Sequence, residues 1–381
     1  MKVVVAIDSF KGSLSSNNAG YAIKEGIKKV MPNANVIIKP LADGGEGTIE
    51  ALVNGMGGYI EKVTVLDPLG NEIESEYGIV KETNTAIIEM AKASGLTLVP
   101  EQLRNPLNTT TYGVGQLIKD AISKNIRNFI IGIGGSATND GGIGMLQALG
   151  FDFLDENNNQ ILLGAKGIKN LVKIDTKNKI KELDFCTFNI ACDVNNPLCG
   201  ENGASKIYAP QKGATLEMVE ELDNLLQKYS NLTEKILNKD SSNIAGVGAA
   251  GGLGFAFLSY LNANLQSGIK IILEYINLEK EILDADIVIT GEGRFDNQTI
   301  MGKAPIGVAK LAKKYNKLVI GFSGCATNEA TVCNKEGIDA YFPIIQMADT
   351  LENLLKEDIA KQNLVNTTEQ VFNLIKMLRG E

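Results

Sequence analysis

Apolar residues recur along this chain in two textures. Near the N-terminus VVVAID is a continuous apolar run, the pattern of a strand buried on both faces. Beyond DSFKGS, residues Ala19, Ala22, Ile23, Ile27 and Val30 return at three- and four-residue spacing and predict a helix. NVIIKPLA predicts a second strand, with the loop DGGEG and a short helix over TIEALVNG after it. Strand, helix, strand, helix is the opening of a parallel sheet. The C-terminal part resumes the same grammar, with strands at DADIVIT, LVIGFSG and AYFPII, the loop GEGRFDNQT, and a helix at IGVAKLAKKYN.

Between about Val65 and Leu283 the texture changes. KVTVLD and IESEYGIV are strand-like and joined by the turn DPLGN, and longer glycine-rich and amphipathic segments follow. LEMVEELDNLLQKY and IKIILEYINLEKEIL predict amphipathic helices covering an inserted domain. The expected architecture is α/β. Residues 1–65 and 285–381 form one discontinuous, doubly wound parallel-sheet domain, and residues 66–284 form an inserted mixed α/β domain. A length of 381 residues agrees with two domains, because single cores rarely grow past roughly 250–300 residues. The gap between two such domains is a default place for a ligand.

Composition narrows the partners. A formal net charge of −8 argues against nucleic acid or an anionic membrane as the main partner. No long apolar run predicts a membrane span, and the N-terminus is already strand and loop, so a cytoplasmic location is expected. The five cysteines show no C-x-x-C spacing and no histidine companions, which points to reduced thiols. Histidine is absent altogether, which excludes a Ser-His-Asp triad and a histidine general base. Acid–base work falls to Asp, Glu, Lys, Tyr or Cys.

Several strand ends deliver polar residues beyond what a turn needs. In the outer domain they are Asp8, Ser9 and Lys11 after VVVAI, Asp43 in DGGEG, and Arg294 and Asp296 after IVITGEG. Ligands of open α/β sheets bind outside the carboxyl ends of strands where strand order reverses, which would bring Lys11 beside Arg294. The plainer account, that Asp8, Asp43 and Asp296 cap helices, weakens when three such loops coincide. In the inserted domain, GGSATNDGG follows the strand NFIIGI and precedes a short helix, so its amides would sit at the positive end of that helix and favour an anion. Asp193 closes the apolar run FNIAC, either as a turn cap or as a carboxylate able to accept a hydroxyl proton. The stretch GVGAAGGLGFAF reads as close helix packing. No Walker A motif, protein-kinase signature set or GxGxxG fingerprint is present.

Five longer stretches carry a resemblance: IDSFKGSLSS, PLADGGEGT, IGIGGSATNDGGIGMLQALG, ACDVNNPLCGENGA and ITGEGRFDNQTIMGKAP. Together, and in this order, they resemble the bacterial glycerate kinase family over nearly the whole chain. The resemblance implies ATP-dependent phosphorylation of D-glycerate to 2-phosphoglycerate, with 3-phosphoglycerate the alternative. It also implies a flavodoxin-like domain made from both chain ends, an inserted mixed α/β domain, and a site in the cleft between them. Phosphoryl transfer asks the protein for positioning and charge neutralisation, which Mg²⁺, Lys and Arg supply. On this reading Asp193 accepts the substrate proton, with Asp8 or Asp140 next in line. Lys11 and Arg294 stabilise the transferring group, and Asp43 and Asp296 hold Mg²⁺. Ser9, Gly134, Gly135, Ser136, Thr138 and Asn139 bind phosphate or substrate. The partners are then small molecules, D-glycerate and ATP, with a homo-oligomer left open. The rival readings are an NAD(P)-dependent oxidoreductase acting on a small hydroxy acid, which lacks its fingerprint, and a non-catalytic sugar-acid-binding protein.

Overall fold

The computed structural model of the chain describes residues 1–42, 47–300 and 302–380. Its strands begin with β1 (Lys2–Ile7), β2 (Asn35–Pro40), β3 (Tyr59–Leu66), β4 (Glu72–Val80), β5 (Thr85–Glu89) and β6 (Asn128–Gly132). The short β7 (Asp152–Leu154) and β8 (Lys173–Asp175) come next, then β9 (Thr187–Ala191) and β10 (Asn264–Gln266). The last three are β11 (Ile287–Phe295), β12 (Leu318–Ala326) and β13 (Ala340–Pro343). Two compact units divide the chain. One comprises Met1–Asp43, Glu50–Gly57 and Ile269–Glu381, the other Gly44–Ile49 and Gly58–Gly268.

The first unit holds a five-stranded sheet in the order β13-β12-β11-β1-β2, with every pair parallel. The two ends of the chain thus share one sheet, as the matching strand–loop–helix alternation at both ends predicts. Val3, Val4 and Val5 are fully buried because helices cover both faces, which is why β1 reads as an unbroken apolar run. The helix Ser16–Val30 starts at Ser15, whose hydroxyl accepts the Asn18 amide. It packs Ala19, Ile23 and Ile27 into one core with Leu364, Val365 and Phe372 of the helix Glu357–Arg379. Strand order reverses between β1 and β11, where Val3 lies level with Ile287.

The second unit is built on a six-stranded mixed sheet, β10-β9-β6-β5-β4-β3. Strands β10, β9, β6 and β5 run parallel, while β3 and β4 form an antiparallel hairpin on the other side. Asp67 shapes the hairpin turn by accepting the amides of Leu69 and Asn71 at 2.7 and 2.9 Å. A separate core includes Phe129 stacked on Phe188, with centroids 4.8 Å apart, and Leu222, Leu226 and Tyr229 of the helix Leu216–Leu237. The second amphipathic run is not one helix. It splits into Gly268–Tyr275 and Leu278–Leu283, with Asn277 between them at φ +52°. Ile276 and Leu278 flank that break and are both buried, and asparagine tolerates the left-handed turn that buries both. Residues from Ile269 onward belong to the first unit. Among the described residues, no helix is long and apolar enough to cross a membrane.

Candidate functional site

The parallel strands of the second unit end together. Glu89 at the end of β5 is level with Gly132 of β6, which is level with Ala191 of β9. The loops that follow therefore emerge along one sheet edge, which is where open α/β sheets place ligands. Glu89 is buried there and accepts the Ile49 amide at 2.9 Å. Asp193, two residues past β9, is exposed, and its Oδ1 accepts the Gly268 amide at 3.1 Å.

The loop after β6 is held from within. Asp140 is completely buried and accepts the Thr111 amide and hydroxyl at 2.8 and 2.9 Å. It also accepts the amides of Gly142 and Gly144 at 3.1 and 3.3 Å. Burial pushes its carboxyl above the usual carboxylate range, against the pull of those four bonds. The amides entering the helix Ile143–Ala148 thus face an internal carboxylate, contrary to the expectation that they await an external anion. The other half of the loop differs. Gly134 and Gly135 are exposed, Gly135 has φ +74°, and an antiparallel bridge ties Ser136 to Gly95. The amides of Gly134, Gly135, Ser136 and Thr138 donate no hydrogen bond among the described residues.

Behind this half lies a residue the sequence did not mark. Lys212 is 2% exposed, and its Nζ donates to Ser136 Oγ at 2.7 Å and to the Thr138 carbonyl at 2.6 Å. Burial pulls its ammonium down to about 7, partly opposed by the charge of Asp140. Its setting, APQKGA, reads as a solvent-facing turn, and nothing in that string announces a buried lysine. Thr138 and Asn139 are likewise sealed. Asn139 Nδ2 donates to Ser205 Oγ at 2.9 Å, while Thr138 Oγ1 and Asn139 Oδ1 have no partner among the described residues. The glycine stretch at 246–254 packs backbone on backbone against this loop, with the Gly141 amide donating to the Gly251 carbonyl at 2.9 Å. A Cβ on Gly251 would overlap the Thr138 carbonyl.

The first unit presents a second set of strand ends. The Asp8 amide donates to the Gly291 carbonyl at 3.0 Å, so the loop after β1 lies against β11. An added methyl group at Gly293 would stand 3.3 Å from the Lys11 amide nitrogen, which brings the backbones of Lys11 and Arg294 together. Asp8 is buried and accepts the amide of the half-buried Ser9 at 2.6 Å. The exposed Arg294 pairs through Nε with Asp296 Oδ2 at 3.2 Å, and Asp296 Oδ1 accepts the Gln298 amide at 2.8 Å. Glu292 is buried beside them, held by the Thr299 hydroxyl at 2.7 Å and Lys303 Nζ at 3.1 Å. Burial pushes its carboxyl up, opposed by both partners. Glu292 and Lys303 both lie in the stretch ITGEGRFDNQTIMGKAP, and the sequence reading gave neither of them a role. Asp43 lies outside the described residues.

The family model described as the glycerate kinase family matches residues 3–376. The chain belongs to the glycerate kinase family. Family relatives are similar over nearly their full length. A glycerate kinase of Haemophilus influenzae is 48% identical, over 98% of this chain and 99% of its own. A glycerate 2-kinase of Escherichia coli K12 is 47% identical, over 93% of each chain. A crystal structure assigned as glycerate kinase 2 of Salmonella typhimurium LT2 superposes with TM-score 0.91 at 45% identity, covering 100% of this chain and 99% of the other.

Proposed function

We propose that the chain transfers the γ-phosphoryl group of ATP to the C2 hydroxyl of D-glycerate, giving 2-phosphoglycerate and ADP. The observation that carries this reading is the near full-length similarity to a relative named glycerate 2-kinase. The chemistry of the loops supports it. Phosphoryl transfer needs anion-holding amides, mobile cationic groups and a carboxylate to take one proton, and no histidine is present for that task.

Asp193 accepts the proton of the attacking hydroxyl. The Gly268 amide on its Oδ1 fixes the carboxylate plane. The substrate oxygen forms a bond to the γ-phosphorus as the bond to the bridging β–γ oxygen breaks, and the electron pair leaves with ADP. Asp140 and Asp8 are weaker candidates, because both are buried and Asp140 is saturated by loop donors. Lys11 and Arg294 stabilise the charge on the transferring group, with Ser9 at the same strand end. The amides of Gly134, Gly135, Ser136 and Thr138, beside Asn139, hold an anionic group of a substrate.

The donor set fits magnesium. Mg²⁺ is usually held by one or two carboxylates plus substrate phosphate oxygens, and Asp296 offers a partly exposed carboxylate of that kind. Asp296, with Asp43, would hold the ion, which supplies charge neutralisation on the phosphates.

The test is to incubate the protein with D-glycerate and MgATP, or with NAD, and to follow ADP, NADH and the product. Stoichiometric ADP is expected, with a ³¹P signal split by the single C2 proton. Splitting by two protons would assign the 3-phosphate, and NADH without ADP would overturn the kinase reading.

A further inference from the structure

We infer that Lys212 is a positioning residue for anion recognition: by taking the Ser136 oxygen as acceptor, it makes that hydroxyl a donor to a carboxylate or phosphate at the glycine loop. The inference rests on the phosphotransferase reading above and deepens it at one site.

A serine hydroxyl has one proton to give and lone pairs to accept with. At Ser136 the oxygen already receives Lys212 Nζ at 2.7 Å. Its own proton has no acceptor among the described residues, although the residue is only 7% exposed. A buried donor left without an acceptor is costly, so the hydroxyl is poised for an acceptor from outside. Its neighbours share that bias. Gly134 and Gly135 are exposed, and the nearby amides donate to nothing among the described residues. Lys212 also occupies the Thr138 carbonyl, an acceptor that would repel an anion. Donors without acceptors suit a ligand whose oxygens only accept. Lys212 is too buried to be reached, so it acts through Ser136 and through its charge.

Ser136→Ala removes one oxygen, and Lys212→Met removes the ammonium at similar length. Both variants and their double are compared with wild type for KM and kcat toward glycerate and ATP. Each single change is expected to raise KM for the same one substrate roughly 10- to 100-fold, the size of one hydrogen bond to a charged group, with kcat nearly unchanged. The double variant is expected to be no worse than Lys212→Met, because the two groups act in series. A rise for glycerate identifies a carboxylate, and a rise for ATP a phosphate. The inference is overturned if folded Ser136→Ala keeps both KM values, if the singles affect different substrates, or if their losses multiply in the double. If Lys212→Met fails to fold, Ser136→Ala alone decides. If the wild type does not phosphorylate glycerate, the functional reading falls separately. The inference is then decided by titrating phosphate, glycerate and ADP onto wild type and Ser136→Ala: weaker binding of one anion supports it, and equal binding overturns it.

Discussion

Asp193, just past a strand end, and Lys212, in the turn Pro210–Lys212 between two helices, show how differently two charged residues can be placed. Asp193 is exposed, and the Gly268 amide donates to its Oδ1. As the proposed base, its loss is expected to matter to rate more than to binding. Asp193→Asn should lower kcat by about 10²–10⁴ while ATP affinity, read by equilibrium titration, stays near wild type. Near-normal turnover in the folded variant would reduce Asp193 to a loop cap. Lys212 instead couples the fold to pH. Its ammonium is pulled down to about 7 in the folded chain from an ordinary 10.5, so unfolding takes up protons between those values. The cost of burying it is therefore full below about pH 7 and shrinks as pH rises toward 10.5. In urea unfolding, wild type is expected to gain stability relative to Lys212→Met between pH 7 and 10, and to hold a constant offset from pH 5.5 to 7. Parallel curves throughout would show that this lysine does not titrate there. Asp193 was legible in the sequence because it closes an apolar run. Lys212 was not, because its partners Ser136 and Thr138 lie more than seventy positions away, and no local pattern encodes that distance.

At the scale of elements, glycine means different things in two neighbouring loops. Gly135 has φ +74° but room around it: among the described residues, only the Ala91 side chain comes near an added methyl group, at 3.6 Å. Gly251 combines φ +66° with overlap against the Thr138 carbonyl. Any side chain at Gly135 meets the strain of its φ but no backbone overlap, so Gly135→Ala is expected to raise KM for one substrate at a smaller cost in Tm than Gly251→Ala. Gly251→Ala is expected to lower stability by about 1–3 kcal/mol, the range for strain and overpacking, as measured by denaturant unfolding. The reverse order of effects would mean that the first loop is only a connection. The strands of the first sheet were readable from apolar runs and the helix Leu216–Leu237 from its periodicity, while β5, β7, β8 and β10 went unmarked. The break at Asn277 was not, because IKIILEYINLEKEIL keeps helical spacing across it and only the burial of both flanking residues dictates the turn. The fate of the GGSATNDGG amides was equally hidden. Composition shows donors, but Asp140 decides which of them are spent inside.

For the whole molecule, the sheet order has a consequence in time. The contiguous stretch 58–268 carries its own sheet and core, so as an isolated fragment it is expected to unfold cooperatively in a thermal scan. A broad, non-cooperative transition would show that it depends on the rest of the chain. The other unit has no such independence, because β1 takes β2 on one side and β11 on the other. On a translating ribosome the apolar VVVAI finds β2 early but must wait for its second partner, β11, from the far end of the message. At about 5–20 residues per second that wait lasts roughly 15–60 s. During it, the β1–β2 pair offers a bare hydrophobic edge while the inserted segment is already able to collapse. Folding thus departs from the order of the chain, the middle able to mature before the sheet that joins the two ends. Chaperone demand should fall on the first forty residues.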